Sequence, residues 1–168
     1  MDRAALQALQ KPLKDGYRED PTAALIVLRA DGRLDDEKIA CKVDTGRQLI
    51  EAGLHPATGG TGALACSGDM LLEALVACAG VTLRSVAASM ELDVSGSVHA
   101  EGDLDFRGTL GVDREAPVGF SAIRLRFDLD SDEPEEKLDK LLELTERYCV
   151  VGQTLAGGVP LDFSYSTS

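Results

Sequence analysis

Two thiols stand where this sequence could do chemistry. Cys78 lies in the middle of the most apolar run of the chain, and Cys149 follows Glu146-Arg147-Tyr148 at the end of a second regular segment. A thiol reacts as its thiolate. Once one sulfur is oxidised to a sulfenic acid, a second thiol can condense with it to a disulfide. A cysteine in an apolar helix is by itself most often a small inert hydrophobe, because free cysteine is among the most buried residue types. Cys149 reads as less enclosed, with the cation Arg147 close by. If both segments are helices that pack together, the two sulfurs can approach. Cys41, in a strand-like run, and Cys66, in a loop-like one, read as structural or incidental.

Other chemistries find less support. Four cysteines without a close CxxC pair suit neither a disulfide scaffold nor a zinc site. His55 and His99 are too far apart to suggest a metal cluster, so no metal and no other cofactor is expected. Gly59-Gly60-Thr61-Gly62 is not followed by Lys-Ser/Thr, and no GxGxxG is present. The stretch is expected to be a flexible approach loop and not a phosphate cradle. A net charge of -12 opposes binding to nucleic acid and to anionic membranes, and suits a solvated acidic surface. With 168 residues, 44% of them hydrophobic and none of them Trp, the chain is expected to build one domain around an aliphatic core. Met1 to Gln10 carries Asp2 and Arg3 among scattered apolar residues and does not resemble a signal peptide, so a cytoplasmic location is expected.

The elements that must position the thiols follow from periodicity. Residues 65–88 read as one long helix, with Ser67 or Asp69 available to cap it. It is apolar almost all round, which predicts burial on all sides. A bilayer span needs ~20 apolar residues, and Glu73 and Arg84 bracket a shorter apolar middle. Leu6, Leu9 and Leu13 predict an amphipathic helix over residues 2–15, broken by the segment 16–21. Residues 22–30 read as a strand, Asp31-Gly32-Arg33 as a hairpin turn and residues 38–44 as the partner strand. Residues 47–52 suit either a third strand or a turn of helix. Beyond the long helix, residues 92–104, 106–112 and 119–130 predict an antiparallel meander. The last of these has Ile123, Leu125, Phe127 and Leu129 inward and Arg124, Arg126 and Asp128 outward. Ser131-Asp132-Glu133-Pro134 opens a second helix with Leu138, Leu141, Leu142, Thr145 and Tyr148-Cys149 on its buried side, ending at Cys149. Residues 159–165 read as a closing strand.

Two runs then carry a family resemblance. Asp69-Met70-Leu71-Leu72-Glu73-Ala74-Leu75-Val76-Ala77-Cys78, followed by Val81-Thr82-Leu83-Arg84, resembles the first signature of the OsmC/Ohr family. Glu146-Arg147-Tyr148-Cys149-Val150-Val151-Gly152-Gln153-Thr154-Leu155, with Val159-Pro160-Leu161 beyond, resembles the second. The likeness is closer to the broad OsmC-like branch than to the organic hydroperoxide resistance proteins proper. It implies an α+β, OsmC-like fold with antiparallel sheets wrapped around two long central helices in an intertwined homodimer. It implies a single OsmC-like domain over residues 1–168, of which 1–21 form an N-terminal helical extension. It also implies active sites at the dimer interface and a thiol-dependent reduction of organic hydroperoxides. Cys78 matches the peroxidatic cysteine and Cys149 the resolving one. The partners implied are a small hydrophobic hydroperoxide and a dithiol reductant, lipoyl-type or other. Burial raises a thiol pKa, and in the family an arginine held by a glutamate offsets this. Arg33 is the better match for that arginine and Arg29 the next. At the glutamate position this chain has Gly68, with Asp69 the nearest carboxylate, and Val150 stands where many members carry Pro. The alternative is an OsmC-like protein that binds a small hydrophobic ligand in the dimer pocket, with a purely structural dimer module as a third reading.

Overall fold

The structure, a computed structural model, describes residues 2–20, 25, 31–34, 40–44 and 49–167. Its axis is helix α2 (Ser67–Met90). Leu75, Ala79, Leu83 and Ala87 recur every four residues along it and are buried, since that spacing places side chains on one face. Strand β5 (Ser95–Asp103) and helices α4 (Glu135–Tyr148) and α5 (Val150–Gly157) pack against it. They cover one stripe, and the face with Leu71 and Val81 stays open, Val81 at 72% exposure. The described residues therefore do not bury α2 on all sides, as its composition had suggested. By length and composition alone α2 is also long and apolar enough to cross a membrane, so Glu73 and Arg84 do not by themselves exclude that. The stripe packed beneath a sheet and two helices is what marks it as a core element. Neither Ser67 nor Asp69 caps it, because the cap position is Cys66, which makes no side-chain cap hydrogen bond.

β5 pairs antiparallel with β6 (Ala122–Asp130), Val98 opposite Phe127 and Gly102 opposite Ile123. Ile123, Leu125, Phe127 and Leu129 pack onto the core residues of α2 and α4 as the alternation required. Gly96 is needed in the ladder: its φ is +132°, and a Cβ there would lie 2.0 Å from the Asp128 carbonyl oxygen. The expected third strand over 106–112 does not form. Asp105 accepts from the Arg107 N–H at 3.0 Å and caps the one-turn helix α3 (Phe106–Thr109). This sheet therefore has two strands.

At the other end, α1 (Arg3–Glu19) starts at Asp2, which accepts from the Ala5 N–H at 2.8 Å, and runs through Gly16 instead of breaking there. Arg3 ties it to Glu91 beyond the end of α2 at 2.8 Å. A four-stranded sheet has the order β1 (Asp31–Leu34), β2 (Ala40–Asp44), β3 (Leu49–Gly53), β4 (Ala65–Cys66). Asp31-Gly32-Arg33 is thus strand and not turn, with Arg33 opposite Lys42; residues 35–39 lie outside the described residues. The strand expected over 22–30 likewise lies outside them, apart from Leu25. Of residues 47–52, the described ones, 49–52, belong to β3, antiparallel to β2. The glycine-rich approach is anchored, with a 3-10 turn at Pro56–Thr58 and the His55 ring stacked on Phe106 at 4.8 Å.

In α4, Leu141 and Thr145 are buried, but Leu142 and Tyr148, expected on the same side, are 46% and 56% exposed. Each residue turns a helix by about 100°, which carries both to the edge of the face that Leu141, Thr145 and Cys149 occupy. The second helix ends at Cys149 as expected, and a further helix follows it directly. Cys149 is extended (φ -72°, ψ 103°), ends α4 and starts α5. Residues 159–165 keep their alternation, yet Leu161, Phe163 and Tyr165 are exposed, Phe163 at 91%, and the segment pairs with no strand of the described residues.

Leu141 has 0% exposure, so Leu141→Ala should cost about 2–5 kcal/mol. Leu142→Ala should cost under ~1 kcal/mol in the same urea titration.

Candidate functional site

Cys78 precedes Ala79 of the buried stripe and so lies at its edge, partly buried. Cys149 is 3% exposed and belongs to the core with Leu75 and Ala79. The expectation of a more open Cys149 beside a cation is reversed: it is the more enclosed thiol, and the Arg147 guanidinium lies 5.5 Å from the centroid of the Tyr148 ring.

The break at Cys149 determines the electrostatics. The first N–H groups of a helix have no partner inside it, and the helix dipole adds positive potential there. Here those groups point at sulfur. The Gly152 N–H donates to Cys149 Sγ at 3.4 Å. The Val150 and Val151 N–H groups and the Cys149 thiol lie near the Cys78 sulfur and favour its ionised form. Thr82 donates to the Cys78 carbonyl at 2.8 Å and stands beside the sulfur as well. Burial, the largest single influence, pushes the Cys78 thiol up. The Val151 amide, the Cys149 thiol, the Val150 amide and, least, the Thr82 hydroxyl together outweigh it, and Cys78 is held below the ordinary thiol value. Burial also dominates at Cys149; the Gly152 amide offsets part of it, the adjoining Cys78 sulfur adds to it, and that thiol is pushed up. The pair is therefore asymmetric: Cys78 ionises first, with a protonated Cys149 as its neighbour. Such a pair can supply one nucleophile and one resolving thiol.

A cavity of about 560 Å³ lies between α2, β6, α4 and α5. Leu75, Leu125, Phe127 and Leu155 contribute to its apolar wall, and Cys149 is part of that wall. Phe120 closes one region, its ring over Gly102, where a Cβ would come within 2.5 Å of it.

The structure brings together two of the four residues singled out. Asp69 is exposed in the first turn of α2; nine residues at ~1.5 Å each put it roughly 13 Å along the axis from Cys78. Arg33 has its backbone in β1, and the guanidinium contact expected of it lies outside the described residues, as does Arg29. The donors Val150 and Val151 were missed because α5 was missed. Its signal was present: an apolar, proline-free run from Val150 to a Gly157-Gly158 stop, headed by a residue able to cap it. Among the described residues no group of His, Cys, Asp and Glu could hold a metal ion. Ser97, His99 and Asp128 meet on the outer sheet face, at 2.9 and 3.5 Å, but on the same ring nitrogen. That leaves the other nitrogen without the orienting carboxylate of a Ser-His-Asp triad.

The model of the family described as OsmC-like protein matches residues 60–164. Solved structures share the fold at low identity. An OsmC-like protein from Mycoplasma pneumoniae superposes with a TM-score of 0.65 at 16% identity, over 79% of this chain and 89% of its own. An organic hydroperoxide resistance protein from Elizabethkingia anophelis gives 0.59 at 16% identity, over 80% and 91%. One from Legionella pneumophila, an organic hydroperoxide resistance protein OsmC, gives 0.55 at 15% identity, over 80% and 92%. No curated protein matches the chain by sequence.

Val150→Pro isolates the main-chain donors. Proline is accommodated at the first helical position, and the extended Cys149 before it is compatible with it; only the N–H is lost. Alkylation of Cys78 by iodoacetamide, followed by peptide mass spectrometry across pH, should show a midpoint below that of an ordinary cysteine, with Cys149 above. In the proline variant the Cys78 midpoint should move up.

Proposed function

The chain belongs to the OsmC-like protein family, and from that premise we propose that it is a thiol-dependent peroxidase that reduces organic hydroperoxides. Cys78 is the reacting thiol and Cys149 the resolving one. One observation carries the reading: a half-buried sulfur whose ionised form is favoured by two amides and by the very thiol that could resolve it. The fold shared with two organic hydroperoxide resistance proteins supports it.

The Cys78 thiolate attacks the terminal oxygen of the hydroperoxide. The O–O bond breaks, the sulfur is oxidised to a sulfenic acid, and the alkoxide takes a proton and departs as the alcohol. The Cys149 sulfur then attacks the sulfenic sulfur, an S–S bond forms and water leaves. A dithiol, lipoyl-type or other, reduces the disulfide by exchange and becomes a disulfide itself. Arg33, or Arg29 in its place, adds a cation beside the thiolate. Asp69 acts by holding that arginine, not by touching the sulfur.

The same reading makes the protein an intertwined homodimer with 1–168 as one domain and 1–21 as its extension. The open face of α2 and the unpaired alternation of Leu161, Phe163 and Tyr165 support it, since apolar patches of this kind mark surfaces that protein covers. A reducing compartment such as the cytoplasm suits a pair that must return to thiols. A second reading, a carrier of a small hydrophobic ligand, is favoured by the 560 Å³ cavity and by Gly68 standing at the glutamate position.

With an alkyl hydroperoxide and excess dithiol, Cys78→Ser should abolish turnover, and Cys149→Ser should leave a sulfenic acid on Cys78 that dimedone traps. Turnover by the Cys78→Ser protein at the parent rate would overturn the assignment. Sedimentation should give twice 17.8 kDa, and removal of residues 159–168 should shift the protein toward the monomer.

A further inference from the structure

The two sulfurs meet at a place with few sources of a proton. The Gly152 N–H donates to Cys149 Sγ at 3.4 Å. A Cβ on Gly152 would stand 3.3 Å from that sulfur and 3.8 Å from Leu75 Cδ1 of α2. The Cys149 sulfur and Leu75 therefore share one small space, in the cluster with Ala79 against which Cys78 packs. Of the other groups gathered at Cys78, the Val150 and Val151 amides hold their hydrogens too firmly to act as acids. The Thr82 hydroxyl donates to the Cys78 carbonyl at 2.8 Å, and as an alcohol it is no stronger an acid than the alcohol the reaction releases. Both histidines are engaged elsewhere: His55 stacks on Phe106 at 4.8 Å, and His99 meets Ser97 on the outer sheet face. Glu73, five residues before Cys78, is exposed and lies about 140° round α2 from it. The Cys149 thiol is left as the acidic hydrogen beside the reacting sulfur among the described residues.

We propose that the Cys149 thiol is the acid that protonates the departing alkoxide, and that this transfer creates the thiolate which then closes the disulfide. The inference rests on the peroxidase reading and adds a proton path to it. The Cys78 thiolate takes the terminal OH of the hydroperoxide. An S–O bond forms as the O–O bond breaks, and both electrons of the broken bond leave on the oxygen that carries the alkyl group. Charge thereby leaves the Cys78 sulfur and appears on that oxygen, so the Cys149 hydrogen turns from the one to the other. The products are a sulfenic acid, an alcohol and a Cys149 thiolate. An alkoxide is a far stronger base than a thiolate, so the transfer runs downhill. The Gly152 N–H already on Cys149 Sγ then meets a charged acceptor, which gives the stronger kind of hydrogen bond. The new thiolate attacks the sulfenic sulfur; hydroxide leaves and takes a proton from solvent to become water. A conflict within the pair is thereby removed. Burial keeps Cys149 protonated, yet a resolving thiol must attack as its thiolate.

A peracid separates attack from proton transfer, because it releases a carboxylate, which needs no proton to leave. Single turnovers at neutral pH use one equivalent of oxidant and no dithiol. Acid quenching, removal of oxidant, alkylation and peptide mass spectrometry then count the Cys78 left unreacted. The ratio of the cumene hydroperoxide rate to the peracetic acid rate cancels any change in the ionisation of Cys78 itself, and the peracid rate shows that a variant keeps its site. Cys149→Ser and Cys149→Ala should each lower that ratio by about tenfold or more, serine included because its hydroxyl is no better an acid than the alcohol released. An unchanged ratio in either variant would overturn the proposal. If Cys78 of the parent reacts with peracetic acid but not with cumene hydroperoxide, or with neither, the peroxidase reading fails and the proton assignment falls with it. If the parent reduces both and the ratio survives the substitutions, the proton assignment alone fails.

Discussion

The contact on which the site depends runs between two helices: the first amides of α5 reach the sulfur of Cys78 on α2. A helix presents its unpaired N–H groups only at its start, so a chain break must fall next to the sulfur. That break is Cys149. Its extended backbone ends α4 and opens α5, and Leu141 and Thr145, both fully buried, hold α4 against α2 just before it. A shift of one residue in α4 would turn its buried face by about 100° and carry the break, the amides and the second sulfur away together.

Both thiols gain from this arrangement in opposite directions. Desolvation disfavours the charged form of each; the Val151 and Val150 amides and the Cys149 thiol outweigh it at Cys78, whereas at Cys149 the Gly152 and Val151 amides do not, and the adjoining Cys78 sulfur adds to it. The ionisation order therefore comes from main-chain geometry together with the pairing of the two thiols. Hydrogen bonds to a charged acceptor are the stronger kind, and peptide dipoles need no buried cation to supply them. An apolar cavity and an anionic sulfur can thus be neighbours without a lysine or arginine in the cavity wall.

Legibility in the sequence followed how local each cause was. Periodicity placed α2, β5, β6 and α4, because each buries a stripe or a face whose spacing is written in the chain. Cys78 and Cys149 were legible because each closes a run with a recognisable pattern. Three things failed for a stated reason. Phe106–Thr109 has strand-like residues, but the Asp105 cap turned them into helix. Asp31-Gly32 carries a turn signal, yet pairing with Asp44 and Val43 drew it into a strand. No element is expected from the sequence over Val150–Gly157, because Gly152 and the Gly157-Gly158 pair weigh against helix, while packing on α2 weighs for it.

The same logic explains the apolar surface that the described residues leave open. Composition made α2 apolar all round, and the described elements cover one stripe of it. Residues 159–165 carry a strand's alternation without a strand's partner. A pattern of this sort states a requirement for burial but not which chain meets it. Residues able to fold inward would have done so at a gain of ~25 cal/mol per Å². Leu161, Phe163 and Tyr165 have not. The sulfur pair gains its asymmetry from groups of α2 and α5, whereas the apolar faces around it do not complete their burial within the described residues.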